Sequence, residues 1–164
     1  MTKSRGVGLL LLLIWFPFAA AAQSSPNAFE TFKGLRGRWQ IQSGGRTLPI
    51  EMSYDLASNG SIVTEQFGKE LSVIYPDGDS LLMTHFCNSG NQPRLRLKQG
   101  GRSGVFEFEM FDITNLKDAT LAHVEKIAYR VVDNQKMEVE ILWKKGESQE
   151  SEKYTLTRIP SGPA

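Results

Sequence analysis

Apolar and polar residues alternate along most of this chain. From Trp39 onward, apolar side chains recur at every second position in short runs. Turn residues such as Asn59-Gly60 and Asp133-Asn134 separate these runs about every ten residues. Because successive side chains of a strand point to opposite faces, the pattern predicts strands with one apolar face. The absence of long crossovers between runs favours an all-β fold, an antiparallel up-and-down β-barrel of about ten strands.

The same alternation predicts which side chains face the barrel interior. Most predicted interior rows are wholly apolar, but a few contain a carboxylate or an imidazole. A buried carboxylate needs a hydrogen-bonding partner or a raised pKa, so these positions are candidates for a site. The predicted interior rows that contain candidate polar or aromatic residues are Val63, Glu65 and Phe67; Leu71, Val73 and Tyr75; Leu81, Met83 and His85; His123, Glu125, Ile127 and Tyr129; and Met137, Val139, Ile141 and Trp143.

A helical period precedes the sheet. Phe29, Phe32 and Leu35 recur at helical spacing, and glycines at positions 34 and 37 end the segment. We therefore expect a linker and a short N-terminal helix over residues 23–36, followed by one barrel domain over residues 37–160.

The first 22 residues have the three parts of a secretory signal peptide. Lys3 and Arg5 are followed by an apolar run over residues 9–16, a proline, and small residues up to Ala22. An uncleaved anchor would need an apolar run of about 18 residues or more. We expect cleavage of residues 1–22 and a periplasmic or secreted mature protein.

Charge limits the partners of the mature chain. Its 19 basic and 18 acidic residues become 17 and 18 when Lys3 and Arg5 are removed. Such a balance produces no long-range field that would attract nucleic acid. Charged residues such as Arg96 and Glu107 lie opposite the apolar rows, whereas a membrane barrel has an apolar outer face, so we expect no membrane insertion after cleavage. The pattern predicts no particular oligomeric state.

Gly37-Arg38-Trp39 opens the first predicted strand after the short helix. This segment resembles the Gly-x-Trp start of the calycin superfamily, which comprises lipocalins, fatty-acid-binding proteins and nitrobindins. The resemblance implies that Arg158, on the last predicted strand, packs over the indole of Trp39. Gly37, Trp39 and Arg158 are therefore expected to have a structural role.

Two further segments resemble uncharacterised secreted bacterial lipocalin-like proteins. They are residues 85–94, His-Phe-Cys-Asn-Ser-Gly-Asn-Gln-Pro-Arg, and residues 123–143. The resemblance implies the fold but no activity. Nitrobindins hold haem through a histidine near the end of the chain, and here no histidine follows His123, so haem of that type is not expected.

Both histidines of the chain fall in these two segments, on rows otherwise rich in apolar residues. We therefore expect His85 and His123 to face one interior and to form the polar part of a ligand site. An alternative role for the polar loop over residues 88–94 is to satisfy the backbone of a tight turn. The remaining candidate ligand-binding residues are Asn91, Gln92 and Arg94 at the rim, with Tyr75, Tyr129 and Trp143 against the ligand body.

Metal binding and catalysis have weaker support. Two imidazoles, a thiol and a carboxylate could bind zinc or copper if they converged, but a strand histidine is more often a hydrogen-bonded core residue. Cys87, the sole cysteine, is either a reactive thiol or a small buried hydrophobe. We expect no metal and no cofactor. No catalytic signature is present, so an enzyme ranks third among the possible functions.

Two functions from different classes follow from these patterns. The first is an exported small-molecule-binding barrel, whose ligand is small and mostly apolar with a polar head. The alternative is an envelope or extracellular interaction protein whose barrel is filled and binds no ligand. A pocket of about 300 Å³ or more at one end of the barrel would favour the first.

Export gives the first testable prediction. Protein isolated from its native host should begin at Gln23, within a few residues, because the small residues before it fit a cleavage site. N-terminal sequencing or intact mass measures this directly, and retention of Met1 would contradict it.

Overall fold

A computed structural model describes residues 25–162 and shows a closed barrel of ten antiparallel strands after one short helix. The predicted signal segment, residues 1–22, lies outside the described residues. No helix within residues 25–162 is long and apolar enough to cross a membrane.

The elements are α1 (Ser25–Gly34), β1 (Gly37–Ser43), β2 (Arg46–Ala57), β3 (Ile62–Phe67), β4 (Glu70–Asp77), β5 (Ser80–Phe86), β6 (Gln92–Leu97), β7 (Val105–Thr114), β8 (His123–Val131), β9 (Lys136–Lys145) and β10 (Ser148–Arg158), with a 3-10 turn (Ser58–Gly60) between β2 and β3.

Each strand pairs with its neighbours in sequence, and β1 closes the barrel by pairing with β10. Trp39 is opposite Arg158 and Ile41 is opposite Leu156 at this closure. A closed barrel leaves no strand edge for pairing with another chain. The predicted fold class is therefore confirmed, with the short helix before the first strand.

Helix α1 covers one end of the barrel, which we name the helix end. Phe32 is fully buried, and its ring packs edge-on against Phe106, Phe108 and Tyr129 at centroid distances of 5.4, 5.7 and 5.1 Å. Edge-to-face packing of this kind adds to the free energy gained from burial of the rings. These aromatic side chains fill the helix end.

Trp39 and Arg158 join the helix to the closure of the barrel. The indole of Trp39 is fully buried, and its Nε1 donates a hydrogen bond to the carbonyl of Leu35 at 2.9 Å. The guanidinium carbon of Arg158 lies 4.3 Å from the centre of the Trp39 rings. The cation and the indole face therefore attract one another, as the Gly-x-Trp resemblance implies.

Arg158 also binds the backbone around the end of the helix. Its nitrogens donate to the carbonyls of Gly34, Arg36 and Asn134 at 2.9, 2.6 and 2.6 Å. Gly37 lies close by with φ of +129°, and a Cβ there would be 3.0 Å from Nη1 of Arg158. Glycine is therefore favoured at position 37, because other residues are strained at this backbone angle and a Cβ would crowd the guanidinium of Arg158.

One predicted interior row is wrong. On β4 the buried side chains are Glu70, Ser72 and Ile74, whereas Leu71, Val73 and Tyr75 are only half-buried. The register explains this, because Ile74 lies between Val63 and Met83, which are both fully buried.

Tyr75 consequently lies on the outer face of the barrel. Its hydroxyl is 3.3 Å from Oγ1 of Thr84, its neighbour on β5. Polar residues can occupy the interior of β4 because other groups form hydrogen bonds with them. The alternation of apolar residues does not reveal these hydrogen bonds.

The helix end generates the second prediction. Trp39→Ala should lower the free energy of unfolding by about 3–5 kcal/mol, because truncating a buried aromatic side chain leaves a cavity. Urea denaturation followed by circular dichroism measures this. Phe111→Ala is the matched control, since Phe111 is 44 % exposed on the outer face and should change stability by about 0.5 kcal/mol or less. A loss below about 1 kcal/mol for Trp39→Ala would contradict the structural role of this residue.

Candidate functional site

Four neighbouring strands each place one polar side chain at the same level of the barrel interior. Tyr54 is opposite Glu65, Glu65 is opposite Ser72, and Ser72 is opposite His85. All four side chains are buried. We name this set the polar row.

The carboxylate of Glu65 connects the polar row to the opposite wall of the barrel. Its Oε2 accepts hydrogen bonds from the hydroxyls of Tyr54 and Tyr129, both at 2.7 Å, and its Oε1 accepts one from Ser72 at 3.1 Å. Burial raises the pKa of Glu65, while these three donors oppose the shift. Burial also raises the pKa values of Tyr54 and Tyr129 well above the ordinary value, so both hydroxyls keep their protons and remain donors.

The same hydrogen bonds determine the protonation of His85. The single hydroxyl proton of Ser72 is donated to Glu65, so the Ser72 oxygen accepts from Nδ1 of His85, 3.1 Å away. Burial lowers the pKa of His85 to about 4, so the ring is neutral at neutral pH. Its Nε2 therefore carries a lone pair, and among residues 25–162 this atom has no hydrogen-bond partner.

Nε2 of His85 points towards the end of the barrel opposite the helix, which we name the mouth. There the carboxylate of Glu70 lies 3.7 Å from Nε2, measured at Oε2. The thiol of Cys87 donates to Oε1 of Glu70 at 3.7 Å, and the backbone amide of Asn88 donates to the same oxygen at 3.2 Å. Burial raises the pKa values of Glu70 and of the Cys87 thiol. A raised thiol pKa argues against the reactive-thiol interpretation of Cys87, because the thiolate is the nucleophile.

A pocket opens at the mouth above this cluster. It has a volume of about 370 Å³, and Glu70 and Cys87 contribute to its floor. The described side chains that line it include three carboxylates and one ammonium: Glu70, Glu150, Glu152 and Lys145. The negative groups therefore outnumber the positive ones in this pocket.

Trp143 forms the apolar wall of the mouth pocket. Its ring centre lies 6.2 Å from that of His85, and its Nε1 donates to Oε2 of Glu152 at 2.9 Å. The hydroxyl of Tyr154 donates to the same oxygen at 2.6 Å. Two donors thus fix the Glu152 carboxylate beside an aromatic surface.

A second concavity, of about 560 Å³, lies on the outer face of β8, β9 and β10. Its charged groups pair with one another: Arg130 binds Glu138 at 2.6 Å, and Lys153 lies 3.4 Å from Glu140. Such exposed pairs are common on a barrel surface and leave little unsatisfied charge for a ligand. The mouth pocket is therefore the better candidate site.

The expectation that His85 and His123 share one interior is not met. Val124 is opposite Trp143, which faces inward, whereas His123 is opposite Lys144 and points to the other face of β8. A register shift between Val124 and residue 126 causes the difference, because the predicted row assumed unbroken alternation. Nδ1 of His123 lies 3.1 Å from the carbonyl of Leu121.

The predicted rim residues are also separated. Asn91 is fully buried, and its Nδ2 donates to the carbonyl of Ala122 at 3.0 Å, so it joins the loop before β8 to the mouth. Gln92 donates to the carbonyl of Gly90 at 2.9 Å and accepts from Thr114 at 2.9 Å. The bond from Gln92 to Gly90 matches the alternative that the loop amides satisfy the backbone of a turn, whereas Asn91 binds a different loop.

Arg94 points outward, forms an ion pair with Asp112, and lies over the ring of Phe111. Of the eight residues predicted for the ligand site, the structure brings His85 and Trp143 together at the mouth, and Tyr129 lies deeper, bound to Glu65. Tyr75 and Arg94 lie on the outer face. The predicted contact of Tyr75 with the ligand body and the predicted place of Arg94 at the rim are therefore corrected.

Sequence reasoning missed Glu70, Ser72 and Glu152. Glu70 and Ser72 share a face with Ile74, but the row of Leu71, Val73 and Tyr75 is more apolar, so the alternation predicts that this row faces inward. Glu152 precedes Tyr154 by two residues, so it shares the face of an interior residue, and this spacing was the available signal.

Comparison with known proteins gives no family assignment. No protein-family model matches the chain, and no curated protein matches it significantly.

The polar row generates the third prediction. Glu65→Leu should lower the free energy of unfolding by about 2–6 kcal/mol, because two tyrosine hydroxyls then lose their acceptor and each buried unsatisfied group costs about 1–3 kcal/mol. The triple variant Tyr54→Phe, Glu65→Leu, Tyr129→Phe should recover most of this loss, since it removes the donors with their acceptor. Denaturant unfolding measures both variants. A triple variant as unstable as Glu65→Leu would contradict the account of Glu65 as the acceptor that these hydroxyls require.

Proposed function

We propose that the protein is an exported small-molecule-binding protein whose ligand enters the mouth pocket. The observation that carries this proposal is the pocket itself: about 370 Å³, at one end of an otherwise filled barrel, with an aromatic wall and fixed carboxylates. Its volume falls within the range of small-molecule sites, which is about 300–1,000 Å³.

The charge of the pocket defines the head group of the ligand. Glu152 is held by two donors that use one of its oxygens, and the Glu70 carboxylate lies deeper on the same side. An anionic head would be repelled by these groups. We infer a ligand with a cationic head, such as a protonated amine, and a small apolar body.

Trp143 completes this recognition. A cation near the face of an indole gains about 0.5–2 kcal/mol, and an apolar body gains further by covering the ring. The ligand is thus small and mostly apolar with a polar head, and the carboxylates specify the sign of that head.

The alternative function, an interaction protein with a filled barrel, is favoured by one observation. Trp39, Phe32, Phe106 and Phe108 fill the helix end and leave only the mouth for a ligand. We place this function second because the fixed carboxylate and the aromatic wall of the pocket have no role in a filled barrel.

Export to the periplasm or the extracellular medium is part of the proposal. It is supported by the signal-peptide pattern of residues 1–22 and by the resemblance of residues 85–94 to secreted bacterial lipocalin-like proteins. The closed barrel, with Arg158 over Trp39, is compatible with a calycin-like fold.

Calorimetric titration with benzylammonium, the protonated form of benzylamine, tests the fourth prediction. In buffer containing EDTA, benzylammonium should bind with a Kd below about 1 mM, whereas benzoate, which has the same ring and an anionic head, should not bind. Trp143→Ala and Glu152→Gln should each weaken binding about tenfold, since each removes about 1.4 kcal/mol of interaction.

The controls repeat the same chemical changes on the outer face. Phe111→Ala removes an aromatic ring and Glu138→Gln removes a charge outside the pocket, and both should bind benzylammonium as the wild type does. Equal binding of benzoate and benzylammonium, or equal loss in the control variants, would rule out recognition of a cationic head in the mouth pocket.

A further inference from the structure

We propose that Glu70, His85 and Cys87 form a zinc-binding site at the floor of the mouth pocket. The site goes beyond the recognition of an organic ligand and does not depend on it. It also departs from the expectation of no metal, which rested on the observation that a strand histidine is more often a hydrogen-bonded core residue than a metal ligand.

Three different metal-ligating groups converge here from two strands. Glu70 begins β4, His85 is near the end of β5, and Cys87 follows that strand. One ligand atom from each lies within 4.8 Å of the other two. In tetrahedral zinc sites with bonds of about 2.0–2.3 Å, ligand atoms lie about 3.3–3.8 Å apart. Oε2 of Glu70 lies 3.7 Å from Nε2 of His85, which matches this geometry. Sγ of Cys87 lies 3.7 Å from the other carboxylate oxygen, Oε1.

The orientation of His85 provides an independent observation. Its side chain is 5 % exposed, and its Nε2 lone pair faces the Glu70 carboxylate without a hydrogen-bond partner among the described residues. Two electron-pair donors that face each other repel, whereas a cation between them is attracted to both. A metal ion bound by both groups would give Nε2 the partner that it lacks.

The surroundings of the site resemble the supporting shell of a metal centre. Ser72 accepts from Nδ1 of His85 and donates to the buried Glu65, so the ring is fixed with Nε2 free for a metal. The backbone amide of Asn88 holds Oε1 of Glu70. Each of these contacts orients a ligand without occupying the atom that would bind the ion.

The donor set indicates zinc. Thiolate and imidazole together select zinc or copper, and a carboxylate adds an oxygen ligand that zinc accepts readily. Three protein ligands leave a fourth position, which would face the pocket and hold water or a donor atom of a bound molecule. Binding replaces the proton of the Cys87 thiol, which passes to solvent, so one proton is released for each zinc ion bound.

Titration of the purified, chelator-treated, tag-free protein with Zn²⁺ alone tests the fifth prediction. The wild type should bind one equivalent with a Kd in the micromolar range or tighter, and its melting temperature should rise on addition of zinc. Titration with Co²⁺ alone should produce a thiolate-to-cobalt charge-transfer band and strong visible bands of a four-coordinate ion. Cys87→Ser, His85→Gln and Glu70→Gln should each weaken zinc binding at least tenfold, and Cys87→Ser should abolish the charge-transfer band.

Two variants are matched controls. His123→Gln removes the other histidine of the chain, and Glu138→Gln removes an exposed carboxylate from the outer face; both should bind zinc as the wild type does. If His85→Gln does not fold, Cys87→Ser and the cobalt spectrum still test the zinc site. Cys87→Ser replaces one sulfur by oxygen and is the smallest of the three changes.

Three results would overturn the proposal: no zinc binding at micromolar concentrations, a cobalt complex without the thiolate band, or equal binding by the wild type and Cys87→Ser. Because the benzylammonium titration is done in EDTA, its outcome is independent of zinc. Failure of either proposal can therefore be distinguished from failure of the other.

Discussion

The buried carboxylate of Glu65 is the constraint on which the interior of this barrel depends. Its burial costs free energy that its three hydrogen bonds must offset, and their donors come from β2, β4 and β8. Because Tyr129 reaches Glu65 from the opposite wall, the interaction fixes the spacing across the barrel. It also determines the direction of the Ser72 proton and thereby which nitrogen of His85 is free. The hydrogen bonds of Glu65 thus determine which nitrogen of His85 faces the mouth.

The barrel combines a packed end with a polar end. At the helix end, Phe32 and Trp39 fill the space that a larger ligand would need, and Arg158 holds the helix to the closing strands. At the mouth, the interior row of β4 supplies Glu70 instead of an apolar side chain. The cavity that remains at the mouth is therefore small, and three carboxylates contribute to its lining.

The candidate site could be predicted only in part. His85 stood out because imidazole is unusual on an otherwise apolar row, and Trp143 followed from the alternation along β9. The alternation predicts the wrong face for Glu70 and Ser72, because Glu65 on β3 and Asn88 in the loop after β5 compensate their burial. Alternation within β4 cannot show those partners. His123 was misplaced because one irregular position in β8 reverses the side on which every earlier residue lies.

The sequence by itself determined the approximate number of strands, their order and the short helix before them. These features are local or repeat with a fixed period, so neighbouring residues encode them. The closure through Gly37, Trp39 and Arg158 joins the two ends of the barrel domain, and it was implied by the calycin resemblance and not by the alternation. Only the tertiary structure decided which polar side chains meet at the mouth. The contacts of Glu65 with Tyr129 and of Asn91 with the loop at Ala122 join residues far apart in the chain. Register and bulges set such distances, and they depend on how all ten strands pack together.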